Sequence, residues 1–162
     1  MLFRSRRLAP SPLPHAIVER PMVQQLVHGG YVVIAGGGGG PPVYDDPVLG
    51  LEGLDAVADK DLVAAILGRD IGAQVLLILT DVDAVYRGWG TPAQHALRRL
   101  TLAEADALLG GAELGAGSMR PKVEAAAEFV RAGGERAVIA ELAQGTAALR
   151  GDVGTTVTKE RA

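Results

Sequence analysis

The residues of this 162-residue chain best suited to chemistry are two lysines, each set beside a turn or the start of a helix. Lys60 stands in Asp59-Lys60-Asp61-Leu62, at the head of a helical stretch. Lys122 stands in Ala116-Gly117-Ser118-Met119-Arg120-Pro121-Lys122-Val123-Glu124, a Gly/Ser turn running into a helix. Ahead of both, the glycines Gly36–Gly40 follow the apolar run Tyr31-Val32-Val33-Ile34-Ala35. Backbone N–H groups at helix N-termini, together with two ammonium groups, are what a transferring phosphoryl group needs. The three segments together point to phosphate chemistry more strongly than any one alone.

Each segment also has an ordinary reading. The glycine tract could be a plain bend, but in open α/β sheets ligands collect at the carboxyl ends of strands. Glycines there let the backbone approach an anion and present N–H groups to it. No G-x-x-x-x-G-K-[ST] is present, so this is not a Walker-type loop. Asp59 reads as an N-cap, with Asp61 in the first turn and Lys60 solvated, an arrangement that coexists with phosphate binding. Asp81 and Asp83, in Leu79-Thr80-Asp81-Val82-Asp83-Ala84-Val85-Tyr86, are either turn residues or the lining of a nucleotide pocket at a strand end. Magnesium ligation by Asp81 is conceivable, and nothing local demands it. Ser118 reads as an N-cap. Lys122 in the first turns of a helix opposes the macrodipole, a placement that makes sense if an anion sits between them. His15, His28 and His95 are scattered without metal-ligand spacing, and no Ser-His-Asp set is visible.

These residues need elements to hold them. Residues 17–28 predict a helix with Pro21 in its first turn, where a missing N–H costs little. Residues 31–35 predict a buried strand, and residues 41–57 an irregular stretch with a small hairpin. A helix follows over 59–70, ended by Gly72. Val75–Leu79 is a continuous apolar run without alternation, as in parallel sheets covered on both faces. Helices are predicted over 101–109, where Thr101 and Glu104 make a capping box, and over 119–132, closed by Gly133-Gly134. Ala137–Ala140 predicts a strand, residues 142–149 a helix and Thr155–Thr158 a last strand. This alternation predicts an α/β fold: a three-layer α/β/α sandwich on a mainly parallel sheet with right-handed crossovers. No repeat or interdomain linker interrupts it, so residues 1–162 read as one domain.

Bulk composition narrows the function. Apolar residues make up 48% of the chain and aromatic residues only 4%, so the core must be aliphatic. Glycine, at 22 residues, is about twice its usual share of roughly 7%. A net charge of −3 without a basic stripe argues against nucleic acid as the main partner. The absence of cysteine excludes disulfides, thiol catalysis and thiolate metal sites, and fits a cytoplasmic protein. The opening Met1-Leu2-Phe3-Arg4-Ser5-Arg6-Arg7 is basic, but Pro10, Pro12 and Pro14 break any run of signal-peptide length. The longest aliphatic runs fall far short of the roughly 20 residues a membrane span needs, so a soluble protein is expected.

In this order the segments resemble the carbamate kinases of the amino acid kinase family. Arg6-Arg7 with Ser11-Pro12 and Ile17-Val18-Glu19, Gly36–Gly40 with Pro42-Val43, Asp59–Leu62, Leu79–Asp83, and Ala116–Met119 with Pro121–Ala126 resemble its motifs. Gly154-Thr155 is similar to its closing Gly-Thr. The resemblance implies reversible phosphoryl transfer between ATP and carbamate, giving carbamoyl phosphate and ADP, as in arginine breakdown. It implies that Lys60 and Lys122 neutralise the transferring phosphoryl group and the nucleotide phosphates, and that Asp61 holds the lysines. Carbamate carries its own nucleophilic oxygen anion, so no base is required. The resemblance also implies that Gly36, Gly37, Gly38 and Gly39 face the substrate and phosphates, that Thr80, Asp81, Val82, Asp83 and Tyr86 border the nucleotide, and that Ser118 and Met119 flank its phosphates. Mg²⁺ travels with ATP, and a dimer is expected.

The chain also departs from this pattern. The resemblance covers nearly all of the chain but only the nucleotide-binding C-terminal half of such a kinase; the N-terminal half, with much of the acid-substrate site, lies outside it. Pro41 stands where Ile is common in the family and Arg120 where Gly is common, so Arg120 either reaches phosphate or points to solvent. Two other readings follow: a non-catalytic nucleotide-binding remnant, and a sibling kinase acting on another small acid or a nucleotide.

Overall fold

The structure, a computed structural model, describes residues 9–114 and 118–160. The basic opening with Arg6-Arg7, and Ala116-Gly117 of the second turn, lie outside the described residues.

A four-stranded sheet organises the chain. Its strands are β3 (Val75–Thr80), β6 (Arg99–Thr101), β7 (Arg136–Glu141) and β8 (Thr155–Thr158), in the order β3-β7-β8-β6. β3 runs parallel to β7, with Val75 opposite Arg136 and Thr80 opposite Glu141. β6 runs parallel to β8, while β7 and β8 are antiparallel. The sheet is thus mainly parallel, with one reversed junction at its centre. Short turns make that reversal possible. Gly151 and Gly154 have φ of 84° and 90°, and a Cβ on Gly154 would stand 2.8 Å from the Ile139 carbonyl oxygen.

Strand alternation divides the side chains between two faces. Leu76, Ile78, Ala137, Ile139 and Val157 join the larger core, with Ala65 of α2 (Lys60–Asp70), Ala105 and Leu108 of α3 (Leu102–Gly110), and the buried stripe of α4 (Met119–Arg131). Val138 and Ala140 point the other way and pack on Ala148 of α5 (Gly145–Arg150), with Val75, Leu77 and Val153 around them. Helices therefore cover both faces, and the three layers expected from the sequence are present. The aliphatic core is also as expected: Phe129 is its one fully buried aromatic side chain among the described residues. Phe129 packs against α2 at Gly68, where a Cβ would stand 2.9 Å from its ring. A side chain at Gly68 would push the two helices apart.

The predicted helices α2, α3 and α4 appear nearly as drawn, including the Thr101–Glu104 capping box. The hairpin expected within 41–57 pairs β1 (Val43–Asp46) with β2 (Gly50–Gly53). α1 starts at Arg20 and ends at His28, later than the predicted start at residue 17. The helix expected over 142–149 is instead a 3₁₀ turn, Leu142–Gln144, followed by α5. A two-stranded ribbon, β4 (Val85–Arg87) with β5 (His95–Leu97), stands where no strands were predicted.

One prediction fails outright. Tyr31–Ala35 is not a buried strand: it forms no ladder, and Val32 and Ile34 are 97% and 98% exposed. A strand exists only by pairing, and no described strand lies alongside this segment. The sheet's own margin is open as well. β3 is an edge strand, with only Ile78 buried, so the two-sided cover predicted for it is incomplete.

Candidate functional site

Asp59 begins the site. Its Oδ1 accepts the backbone N–H groups of Asp61 (2.8 Å) and Leu62 (3.2 Å), so it caps α2 as the sequence suggests. Those first-turn amides are occupied, and an anion arriving here meets ammonium groups instead. Asp61 points inward, and its Oδ2 accepts Lys122 Nζ at 2.9 Å across the α2–α4 packing. The two side chains are only 11% and 7% exposed. Lys60 Nζ lies 3.7 Å from the same oxygen and is 61% exposed. Two ammonium groups thus share one carboxylate, leaving a net charge of +1 with one cation buried and one free to move.

The glycine tract meets this cluster. Gly36 through Gly40 all have positive φ, from 31° to 110°, a region that L side chains avoid. Gly39 N–H donates to the Gly36 carbonyl at 3.0 Å, closing the turn. A Cβ on Gly39 would stand 2.5 Å from the Ala58 carbonyl oxygen and 3.5 Å from Lys60 N, while one on Gly36 would touch Val63. The turn therefore lies against the first turn of α2, and only glycine fits at that contact.

The second turn is less complete. Ser118 is exposed and makes no side-chain cap to α4, whose first turn carries no acidic residue. That helix start lacks the internal partner Asp59 gives α2. Met119 is half-buried and packs against the main core. Arg120 does not simply point to solvent. Both its terminal guanidinium nitrogens donate to the carbonyl of Leu109, one at 2.8 Å, tying the start of α4 to the last turn of α3.

Thr80, Asp81, Val82, Asp83 and Tyr86 lie at the carboxyl end of β3 and run into β4. The Thr80 hydroxyl donates to Asp81 Oδ1 at 3.0 Å. Asp83 is more deeply engaged: Tyr86 OH donates to its Oδ1 at 2.7 Å and Arg98 to its Oδ2 at 3.1 Å. The Tyr86 hydroxyl first, with help from Arg98, holds the Asp83 carboxyl below its usual range against the opposing effect of burial. The same hydrogen bond raises the Tyr86 phenol. Among the described residues, no hydrogen bond or ion pair joins this group to the lysine cluster. The structure therefore brings together Gly36, Gly39, Lys60, Asp61 and Lys122, and gathers Asp83 and Tyr86 separately.

Around this second group Arg98 and Trp89 were not singled out by sequence, and Thr155 entered only through the closing Gly154-Thr155 and the last strand, with no tie to Val85 or Leu97 expected. Arg98 anchors Asp83. The Thr155 hydroxyl accepts Val85 N–H at 2.8 Å and donates to the Leu97 carbonyl at 2.6 Å, pinning the β4–β5 ribbon to β8. Trp89, exposed, stands edge-on to Tyr86 with ring centroids 5.1 Å apart. A lone Trp between Gly88 and Gly90 was the available signal for the last of these.

Comparison with known proteins places this geometry. Residues 3–141 match the amino acid kinase family. The chain is 51% identical over 152 residues to the carbamate kinase of Halobacterium salinarum, covering 94% of this chain and 49% of that protein. It is 42% identical over 154 residues to the carbamate kinase of Thermoplasma acidophilum, covering 95% and 50%. Among solved structures it superposes on carbamate kinase from Giardia lamblia bound to AMP-PNP, with a TM-score of 0.89 at 37% identity, over 93% of this chain and 53% of that one. The chain spans about half the length of the curated relatives it matches.

Proposed function

The chain belongs to the amino acid kinase family, and from that membership we propose that it is the nucleotide-binding C-terminal half of a carbamate kinase, moving a phosphoryl group between ATP and carbamate. The observation that carries this reading is the Lys60–Asp61–Lys122 cluster against the Gly36–Gly40 turn. In the direction of ATP formation, the bond from phosphorus to the carbamate oxygen breaks and a bond to the terminal oxygen of ADP forms. Charge spreads over the phosphoryl oxygens on the way, and positive groups already in place stabilise it.

Lys122 supplies the fixed charge. One of its three N–H donors is held by Asp61, and the others are available to phosphate. Lys60, being exposed, follows the phosphoryl group from one partner to the other. Asp61 positions both lysines and is not a base. The amides of Gly36, Gly37 and Gly38 and of the Ser118–Met119 helix start contact phosphate oxygens, while Gly39 closes the turn and faces the same side. Thr80, Asp81, Val82, Asp83 and Tyr86 border the nucleotide. Mg²⁺ enters on the nucleotide phosphates. The remaining part of the acid-substrate site is supplied by an N-terminal half, the working unit is a homodimer, and the reaction runs in the cytoplasm. Among the described residues, no helix is long and apolar enough to cross a membrane.

The test is ATP formation from carbamoyl phosphate and MgADP by this chain, alone and mixed with a chain carrying the N-terminal half. Activity in the mixture that disappears in Lys122→Ala is the expected result. No ATP under either condition sinks the catalytic reading. An acceptor screen with acetylglutamate and uridylate separates carbamate from the substrates of sibling kinases. The exposed Tyr31–Ala35 segment favours a second reading, a nucleotide-binding remnant without catalysis; it predicts MgADP binding by calorimetry with no turnover.

A further inference from the structure

We propose that the far margin of the sheet carries a second anion site, distinct from the lysine cluster, that binds a compact ligand with two or more oxyanion groups. Its floor follows from strand alternation. Leu100 and Val157 turn into the main core, so Arg99 and Thr101 on β6, and Thr156 and Thr158 on β8, share the opposite face. They lie in register, Arg99 opposite Thr156 and Thr101 opposite Thr158. On that face α5 packs over Val138 and Ala140 of β7 and leaves β8 and β6 uncovered. The result is a cleft of about 750 Å³.

Charge singles the cleft out. Arg98, Arg99, Arg136 and Arg150 line it, with Asp152 as the one acidic lining residue. Arg98 is neutralised by Asp83 at 3.1 Å and Arg150 by Asp152 at 3.2 Å. Arg136 donates to the carbonyl of Leu149 at 3.1 Å, which satisfies an N–H but leaves its charge. The Arg99 guanidinium has no hydrogen bond or ion pair among the described residues. Two uncompensated guanidinium groups over a threonine floor, on a chain of net charge −3, oppose the average potential of the molecule. Guanidinium groups pair with phosphate and carboxylate through parallel N–H donors, and the Thr156 hydroxyl adds a donor, the Thr101 and Thr158 hydroxyls already donating to Glu104 Oε2 and to the Glu160 carbonyl. The ligand class is therefore a short chain of phosphates or a polycarboxylate. The sheet order puts β6 at the margin opposite β3, so this site stands on its own whatever the lysine cluster binds.

Calorimetric titration with tripolyphosphate and with citrate tests this in the Lys60→Ala background, which weakens the first site. The expected result is one saturable site for at least one of the two anions, weakened at least tenfold by Arg99→Gln and further by adding Arg136→Gln, with affinity falling as salt rises. The Arg99 side chain has no hydrogen bond or ion pair among the described residues to lose, so Arg99→Gln should fold as the parent does, and circular dichroism checks it. The two anions distinguish phosphate from carboxylate recognition. Absence of saturable binding by either, or binding that Arg99→Gln leaves unchanged, overturns the proposal.

Discussion

At the scale of single residues, the Asp61–Lys122 pair couples stability to the candidate chemistry. Removing one partner of a buried pair strands the other charge. Lys122→Ala should therefore lower the unfolding free energy by about 3 kcal/mol, read by urea denaturation, and should abolish MgADP binding. Lys60→Ala, at an exposed position, should leave stability within about 0.5 kcal/mol while weakening nucleotide binding. Asp83 and Tyr86 predict a pH window. The Asp83 pKa is lowered in the fold, so its contribution is present above the ordinary carboxylate range and is lost as pH falls through its folded value. The Tyr86 pKa is raised, so its contribution is lost only as pH rises through the folded phenol value. Their hydrogen bond persists between those limits. Asp83→Asn should bring the Tyr86 phenol back toward about 10, measurable by ultraviolet titration. The lysines, Asp61 and the N-cap Asp59 were legible in the sequence because their types and order carry the signal. The Arg120–Leu109 tie was not, since nothing local says which carbonyl a flexible arginine will reach.

At the scale of elements, the Gly36–Gly40 turn and the α2–α4 contact make separate demands. Gly39→Ala combines a φ of 110° with a steric conflict at the Ala58 carbonyl. Gly37→Ala faces an open surface at a φ of 31°. The first should cost more than the roughly 1 kcal/mol of the second and should weaken MgADP binding more, with calorimetry and denaturation read side by side. Phe129→Ala should cost about 3–5 kcal/mol, because the ring fills the space left by Gly68. The long helices and the strands β3, β7 and β8 could be read from periodicity and caps. The strands β4, β5 and β6 could not: each is three residues long, and the β4–β5 ribbon is held by the Thr155 hydroxyl from a distant strand. Tyr31–Ala35 failed in the opposite sense. Its composition is that of a buried strand, but burial depends on a neighbour that composition cannot supply.

At the scale of the whole molecule, the open margin at β3 and the exposed Val32 and Ile34 predict association. Sedimentation should show concentration-dependent oligomers of this chain, reduced when a chain carrying the N-terminal half is added. A monomer at all concentrations would count against that surface being adhesive. The chain's lone tryptophan, Trp89, sits on Tyr86, so its fluorescence should change on MgADP binding if the β3–β4 turn borders the nucleotide. The exposed segment also matters beyond the test tube. Uncovered aliphatic side chains on unpaired backbone are the surface that chaperones and proteases engage. A partner that covers Tyr31–Ala35 should therefore lengthen the lifetime of this chain in a cell, and Val32→Ser with Ile34→Ser should do the same without one, read by a chase of its abundance after synthesis is stopped.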